Sequence, residues 1–297
     1  MDRSMSKPLN PAPAAGAPAS AVRPRPAFLR ALGRAEPPQR VLVAARSYRL
    51  ERVFKHDSWA ATALYRLEPG EPDGEELLVC KFNRQESVFG LPLAWLGPVL
   101  AAREARFLAR LAGTGRVPAV ERLVLNGQGR RLDHAVAHAF VTGEPLSKRA
   151  ELQNAFFPCL EQLLAAMHAD GLAYVDLHKM ENVLVGSDGL PWLIDFQVSF
   201  ALPRRQPWRA LARPLFNLLR SGDRYHLIKH WIRLRPDQCG LGPEDLDRFR
   251  PRWIRWHRRI GVPLRSLRRR LLTGLGVRDR SGHARSETFA EEALRQR

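Results

Sequence analysis

The stretch GLAYVDLHKMENVLVGSDGLPWLIDF, residues 171–196, constrains this chain more than any other. Two short apolar segments, NVLV and PWLI, are joined by the turn GSDG, a pattern that predicts a tight hairpin. Asp176 and Asn182 flank the loop before the hairpin, and Asp195 closes its second strand. A carboxylate directly after WLI is rarely buried without a partner, so a metal or ligand role is expected beside Asp195.

The segments upstream supply a frame for that stretch. ATALYRLE (61–68) and ELLVCKF (76–82) are apolar runs separated by PGEPDGE, which predicts a hairpin with Lys81 near the end of its second strand. Structure is expected to begin near RSYRLERVFKHDS. Residues 99–112, VLAAREARFLARLA, place Leu100, Phe107, Leu108 and Leu111 near one helical stripe and carry Glu104. Two more strand-like segments, AVERLVLN and RLDHAVAHAFV, follow. The helix pattern then returns over 146–171 and ends at Gly171.

Composition sets the compartment and the polarity of partners. With 45% hydrophobic residues in 297, the chain can bury a large core or two modest ones. Cys80, Cys159 and Cys239 are far apart and the nine histidines are scattered, which excludes a disulfide scaffold and a zinc motif and fits a reducing compartment. The N-terminus is rich in Ala and Pro without an apolar core of its own, so no signal peptide is expected. The apolar segment 89–102 is too short to span a bilayer and carries two prolines. The expected location is cytoplasmic, with peripheral association at a membrane as an option. A formal charge of +18 and an isoelectric point near 11.1 predict attraction to polyanions.

Taken in order, a lysine at a hairpin strand end (Lys81), a glutamate on the next helix (Glu104), then Asp176, Asn182 and Asp195 resemble the protein-kinase-like superfamily. The resemblance covers roughly residues 45–200. It implies an α+β, bilobal fold with a small N-terminal β-rich lobe and a larger, mostly helical C-terminal lobe. The implied divisions are a disordered Ala/Pro-rich arm over 1–38, an ATP-binding lobe over 39–145, a catalytic lobe with basic helices over 146–275, and a polar tail over 276–297. It also implies ATP and Mg2+ as cofactors. Lys81 would neutralise the phosphates while Glu104 holds it, Asp176 would align the acceptor hydroxyl and take its proton, and Asn182 and Asp195 would hold the metal.

The chain also departs from that pattern. Asn182 lies one position further from Asp176 than in the usual protein-kinase loop, Tyr174 stands where a histidine is common, and Gln197 stands where a glycine follows DF. No APE signal follows, and residues 50–69 contain no glycine, so a glycine-rich phosphate loop is absent. KHDSWAAT (55–62) occupies that hairpin, with Ser58 as a candidate phosphate contact. These features look more like the compact atypical branch that includes bacterial lipopolysaccharide core and Kdo kinases and RIO-type kinases. Plainer readings stand beside each role: Asp176 as a turn cap, Asn182 as a turn former, Lys81 as an edge-strand guard, Glu104 as half of an i,i+4 surface pair, and His178 and Lys179 as solvated loop residues.

Residues 201–270 hold 19 Arg plus Lys against 5 Asp plus Glu, a balance of +14 (19 − 5). Arg-rich helices with apolar faces lie well on anionic membranes, which favours a sugar hydroxyl on a lipid-linked glycan as acceptor. A solvated C-terminal lobe is the plainer reading of the same charge. Nucleic acid has only the charge in its favour, because no recognition motif appears. The function expected is an ATP- and magnesium-dependent phosphotransferase, acting as a monomer. The alternatives are an atypical serine/threonine protein kinase of RIO-like type and a non-catalytic pseudokinase scaffold.

Overall fold

The computed structural model describes residues 26–87, 91–251 and 253–254. The first 25 residues of the expected arm, most of the second basic segment (248–272) and the whole polar tail over 276–297 lie outside them. The architecture mixes helix and strand, as expected.

The N-terminal part is a seven-stranded sheet. Its strands are β1 (Arg40–Val43), β2 (Arg46–His56), β3 (Ala60–Leu67), β4 (Leu77–Asn83), β5 (Val120–Glu121), β6 (Val124–Asn126) and β7 (Ala135–Ala139). They lie in the order β5-β7-β4-β3-β2-β1-β6. The β3–β4 hairpin forms where the two apolar runs and the polar turn predict it, and its antiparallel register places Lys81 opposite Thr62. On the other side of β4, Lys81 faces Val136 of β7, so this lysine sits in the middle of the sheet rather than on an edge. Alternation along β1 to β4 buries Val41, Val43, Tyr48, Ala63, Tyr65, Cys80 and Phe82 in one core.

Helix α1 (Leu96–Leu111) lies across β4 and β7. Ala101 and Ala105 pack on Val136, and Phe107, Leu108 and Leu111 enter a second, larger core. That core is completed by α2 (Phe156–Ala169), by the strands β8 (Gly143–Pro145), β9 (Leu172–Ala173), β10 (Val183–Gly186) and β11 (Pro191–Leu193), and by α3 (Trp208–Leu234). Strands β8, β10 and β11 form a three-stranded sheet, and β9 pairs with β12 (Phe200–Ala201). The β10–β11 hairpin matches the GSDG turn, where Gly189 adopts φ +73° as such a turn requires.

Two expectations change. The helix pattern over 146–171 becomes a helix only from Phe156. The preceding segment is an irregular, turn-containing stretch held by tertiary bonds: Leu146 N–H donates to the Val183 carbonyl, and the Arg235 guanidinium donates to the Leu152 carbonyl and to Asn154. Pro158 then sits in the first turn, where its missing N–H removes no bond. The second change is at the arm, because residues 26–38 are ordered. Ala31 is fully buried, and its N–H donates to the Asp57 carbonyl while its carbonyl accepts from Gln85 and Glu86. The buried Arg84 donates to the carbonyls of Phe28, Ser58 and Ser87, and Tyr65 Oη donates to the Pro38 carbonyl. Composition reads Ala and Pro as an arm, but those partners come from the β2–β3 hairpin and the end of β4.

Among the described residues, no helix is long and apolar enough to cross a membrane.

Candidate active site

Four elements bring the polar residues together. β4 supplies Lys81, α1 supplies Glu104, the loop after β9 supplies Asp176 and Asn182, and the segment after β11 supplies Asp195. Lys81 Nζ lies 2.7 Å from Asp195 Oδ1 and 3.1 Å from Glu104 Oε2, so one ammonium joins two carboxylates 91 residues apart (195 − 104). Lys81 and Glu104 are buried, whereas the Asp195 side chain keeps 31% of its surface exposed. The cluster therefore opens to solvent at Asp195.

Burial and charge divide the protons unequally. Burial disfavours the Lys81 ammonium, but Asp195 and Glu104 overcome it and hold the lysine charged well above its usual range. Burial raises the Glu104 carboxyl, and Lys81 only partly offsets it. For Asp195, burial is outweighed by Lys81, with Lys179 and Lys55 adding, and its carboxyl is held down at about 2. Asp195 is thus the ionised, outward-facing carboxylate, and Glu104 is the inner anchor of the lysine.

Asp176 is buried and crowded by donors. Its Oδ2 accepts from Lys179 Nζ at 2.7 Å and from Asn182 Nδ2 at 2.9 Å, and its Oδ1 lies 3.1 Å from His178 Nδ1. The extra residue in this loop is absorbed by a single tight turn, Met180–Asn182, with Met180 packed toward the core. That leaves Lys179 on Asp176 rather than in solvent. Because Asn182 Nδ2 donates to Asp176, its Oδ1 is the side chain's acceptor.

Three features of the site had no clear signal in the sequence. Asp223 of α3, almost fully buried, accepts from Tyr174 N–H (2.8 Å), Val175 N–H (2.7 Å) and His168 Nε2 (3.0 Å). It holds the backbone immediately before Asp176, where Val175 adopts φ +73°, a left-handed conformation unfavourable for a β-branched residue. The only hint was an acidic residue inside an otherwise basic helix. The second feature is Asn83 at the end of β4, whose Oδ1 accepts from Gln197 and ties the sheet to the segment after Asp195. The third is Lys55 on β2, paired with Asp57 at 2.7 Å and close enough to lower the Asp195 carboxyl.

Ser58 is placed differently from the other candidates. Its hydroxyl donates to the Leu29 carbonyl at 3.0 Å and its own carbonyl accepts from Arg84. At the same hairpin tip, Asp57 Oδ1 accepts from the N–H groups of Trp59 (2.7 Å) and Ala60 (2.9 Å). The donors that a glycine-rich tip would offer to a phosphate are here satisfied by a carboxylate. The lysines nearest to Asp195 are Lys55 on β2 and Lys81 on β4 together with Lys179.

A magnesium ion fits the donors present. Among the described residues no group of three His, Cys, Asp or Glu side chains could hold a metal. Magnesium keeps several waters and needs only one or two protein oxygens. The ionised Asp195 and the amide oxygen of Asn182 are oxygen donors of the kind such an ion takes.

No family model matches the chain, and no curated protein matches it. Among solved structures it is similar to a Rio2 kinase from Chaetomium thermophilum, solved as an ADP/Mg2+-phosphoaspartate complex, with 16% identity and a TM-score of 0.45. The likeness covers 67% of this chain and 61% of that one, so the chain spans about three-fifths of that structure's length.

Proposed function

We propose that this chain is an ATP- and magnesium-dependent phosphotransferase with a bilobal, kinase-like architecture. The observation that carries the reading is the Lys81 ammonium held between Glu104 and Asp195, beside an Asp176 carboxylate oriented by Lys179 and Asn182. In this reading residues 39–145 form the nucleotide-binding lobe and residues 146–275 the catalytic lobe. A buried ammonium fixed by Glu104 neutralises phosphate without reorganising. Asp195 and Asn182 would hold a magnesium ion, which would supply positive charge against the phosphates. Asp176 takes the proton of the acceptor hydroxyl as that oxygen bonds to phosphorus and the nucleoside diphosphate leaves. Lys179, at 2.7 Å from the same carboxylate, balances its charge, and in this reading its ammonium also contacts the transferred group.

The acceptor we favour is a sugar hydroxyl of a lipid-linked glycan at an anionic membrane surface. Supporting it is an apolar stripe on α3, where Trp208, Leu211, Leu215 and Leu218 are exposed at helical spacing among Arg209, Arg213 and Arg220. The test is transfer of labelled phosphate from ATP to membrane glycolipid, protein and RNA-associated fractions, with Asp176→Asn as control. Asparagine keeps the shape but cannot take the proton, so turnover falls by a factor on the order of 10²–10⁴ while nucleotide affinity stays. Undiminished turnover would remove Asp176 from the mechanism. Labelling of protein alone would favour a serine/threonine protein kinase, and no labelling of any fraction by the wild type would favour a scaffold.

A further inference from the structure

The molecule has a second concentration of charge, outside the Lys81 cluster. Between α1, β12 and the residues that follow it lie two adjoining cavities of about 190 and 600 Å³. Both are bordered by Arg106, Arg110 and Ala201; Arg103 lines the smaller, and Arg122 and Arg204 line the larger. Five arginines therefore line one groove.

Their charges are mostly unmatched. Asp170 neutralises Arg110, with Oδ2 at 2.5 Å from Nε. Arg103 donates to the Ser199 carbonyl, which satisfies a hydrogen bond but no charge. Among the described residues, no carboxylate lies within ion-pair distance of Arg106, Arg122 or Arg204. Arg204 lies near enough to Asp170 to help lower its carboxyl, but that carboxylate is already paired with Arg110, and gathering four arginines without an ion-pair partner of their own around a concave surface is unfavourable unless an anion joins them. The guanidinium fork matches phosphate oxygens in pairs, which a surface lysine cluster would not do. Four charges exceed what one carboxylate can balance, whereas two phosphate groups come close. The walls between the arginines are apolar, formed by Phe107, Phe200, Leu202 and Pro203, and suit an organic portion between or beside the phosphates.

We propose that this groove binds a ligand carrying two or more phosphate groups, at a site separate from the Lys81 cluster. Arg103 and Glu104 are consecutive on α1 and so point about 100° apart; Glu104 turns inward to Lys81 while Arg103 turns to the groove. The occupant bridges the helix that carries Glu104 and the chain that follows Asp195. Its phosphates come either from a free oligophosphate or from a lipid headgroup.

Titration calorimetry of the full chain with inorganic tripolyphosphate tests this. Saturable binding is expected, weakened at least about tenfold in Arg106→Ala/Arg204→Ala because charged hydrogen bonds are lost. Both side chains are exposed, so folding should survive, and a thermal melt checks it. Arg106→Lys/Arg204→Lys should recover part of the affinity. Binding should persist in Lys81→Met, which separates this site from the nucleotide reading whatever the fate of that reading. Arg34→Ala/Arg130→Ala, which removes the same charge from exposed positions outside the groove, should leave affinity unchanged. Phosphatidic acid vesicles that displace tripolyphosphate, where phosphatidylcholine vesicles do not, would assign the phosphates to a lipid headgroup. Displacement by neither would assign them to a free oligophosphate. Equal loss in the control pair and the groove pair, or tighter binding of single-stranded RNA insensitive to both pairs, would overturn the site in favour of diffuse charge. So would the absence of binding to tripolyphosphate and phosphatidic acid alike.

Discussion

Replacing Asp223 by alanine tests how the loop carrying Asp176 is held. The carboxylate is nearly inaccessible and accepts from two backbone N–H groups and one histidine. Alanine leaves the N–H groups of Tyr174 and Val175 buried without an acceptor, and each such group costs about 1–3 kcal/mol. Two opposing effects reduce the sum. Val175, no longer held at φ +73°, can relax and recover part of the roughly 1–3 kcal/mol stored there, and the desolvation of a buried carboxylate is removed. The net expected loss is about 2–4 kcal/mol, a large share of the roughly 5–15 kcal/mol typical of a whole domain. Urea unfolding followed by circular dichroism measures it, with Asp237→Ala as control. Asp237 is exposed and paired with Arg235 at 2.7 Å, so solvent screens the pair and its removal should leave stability nearly unchanged. If the two variants lose the same amount, or Asp223→Ala loses less than about 0.5 kcal/mol, the loop is not held by this carboxylate and the argument from burial fails.

Nucleotide binding measured by calorimetry should require magnesium in the wild type and become magnesium-independent and weaker in Asp195→Ala; equal affinity in all four conditions would contradict the proposed metal site. Acid stability should report the same residue. Because the Asp195 carboxyl lies at about 2 in the folded chain and near 3.8 when unfolded, its contribution is present above about pH 4 and fades as pH falls toward 2. Glu104 acts in the opposite sense above pH 4.5, since burial raises its carboxyl, so Asp195→Asn should flatten only the lowest part of the acid limb. Vesicle sedimentation should show binding that rises with anionic lipid, falls with salt and weakens in Leu211→Ser/Leu215→Ser; indifference to all three would leave a solvated helix as the reading of α3.

The sequence by itself determined the local elements and the identity of the polar residues. Alternating apolar runs around turn residues placed β3, β4, β10 and β11, because a strand's period of two and the turn chemistry of Gly, Asp and Pro act over a few residues. Lys81, Glu104, Asp176, Asn182 and Asp195 were legible for the same reason, each standing at the end of an apolar segment or on a helix stripe. Their meeting was decided by tertiary structure. Only packing of α1 on β4 and β7 brings Glu104 to Lys81, and only the β10–β11 hairpin turns Asp195 back to it. Asp223 was illegible because its partners are backbone N–H groups nearly fifty residues upstream, which no spacing encodes. The arginine groove was hidden as well: Arg103, Arg106, Arg122 and Arg204 read as separate members of a basic chain until β12 lies beside α1. Residues 26–38 and 146–155 were misjudged for one physical reason. Neither has a strong local preference, so each takes the conformation in which distant backbone and side-chain groups, such as Asp57, Arg84 and Arg235, complete its hydrogen bonds.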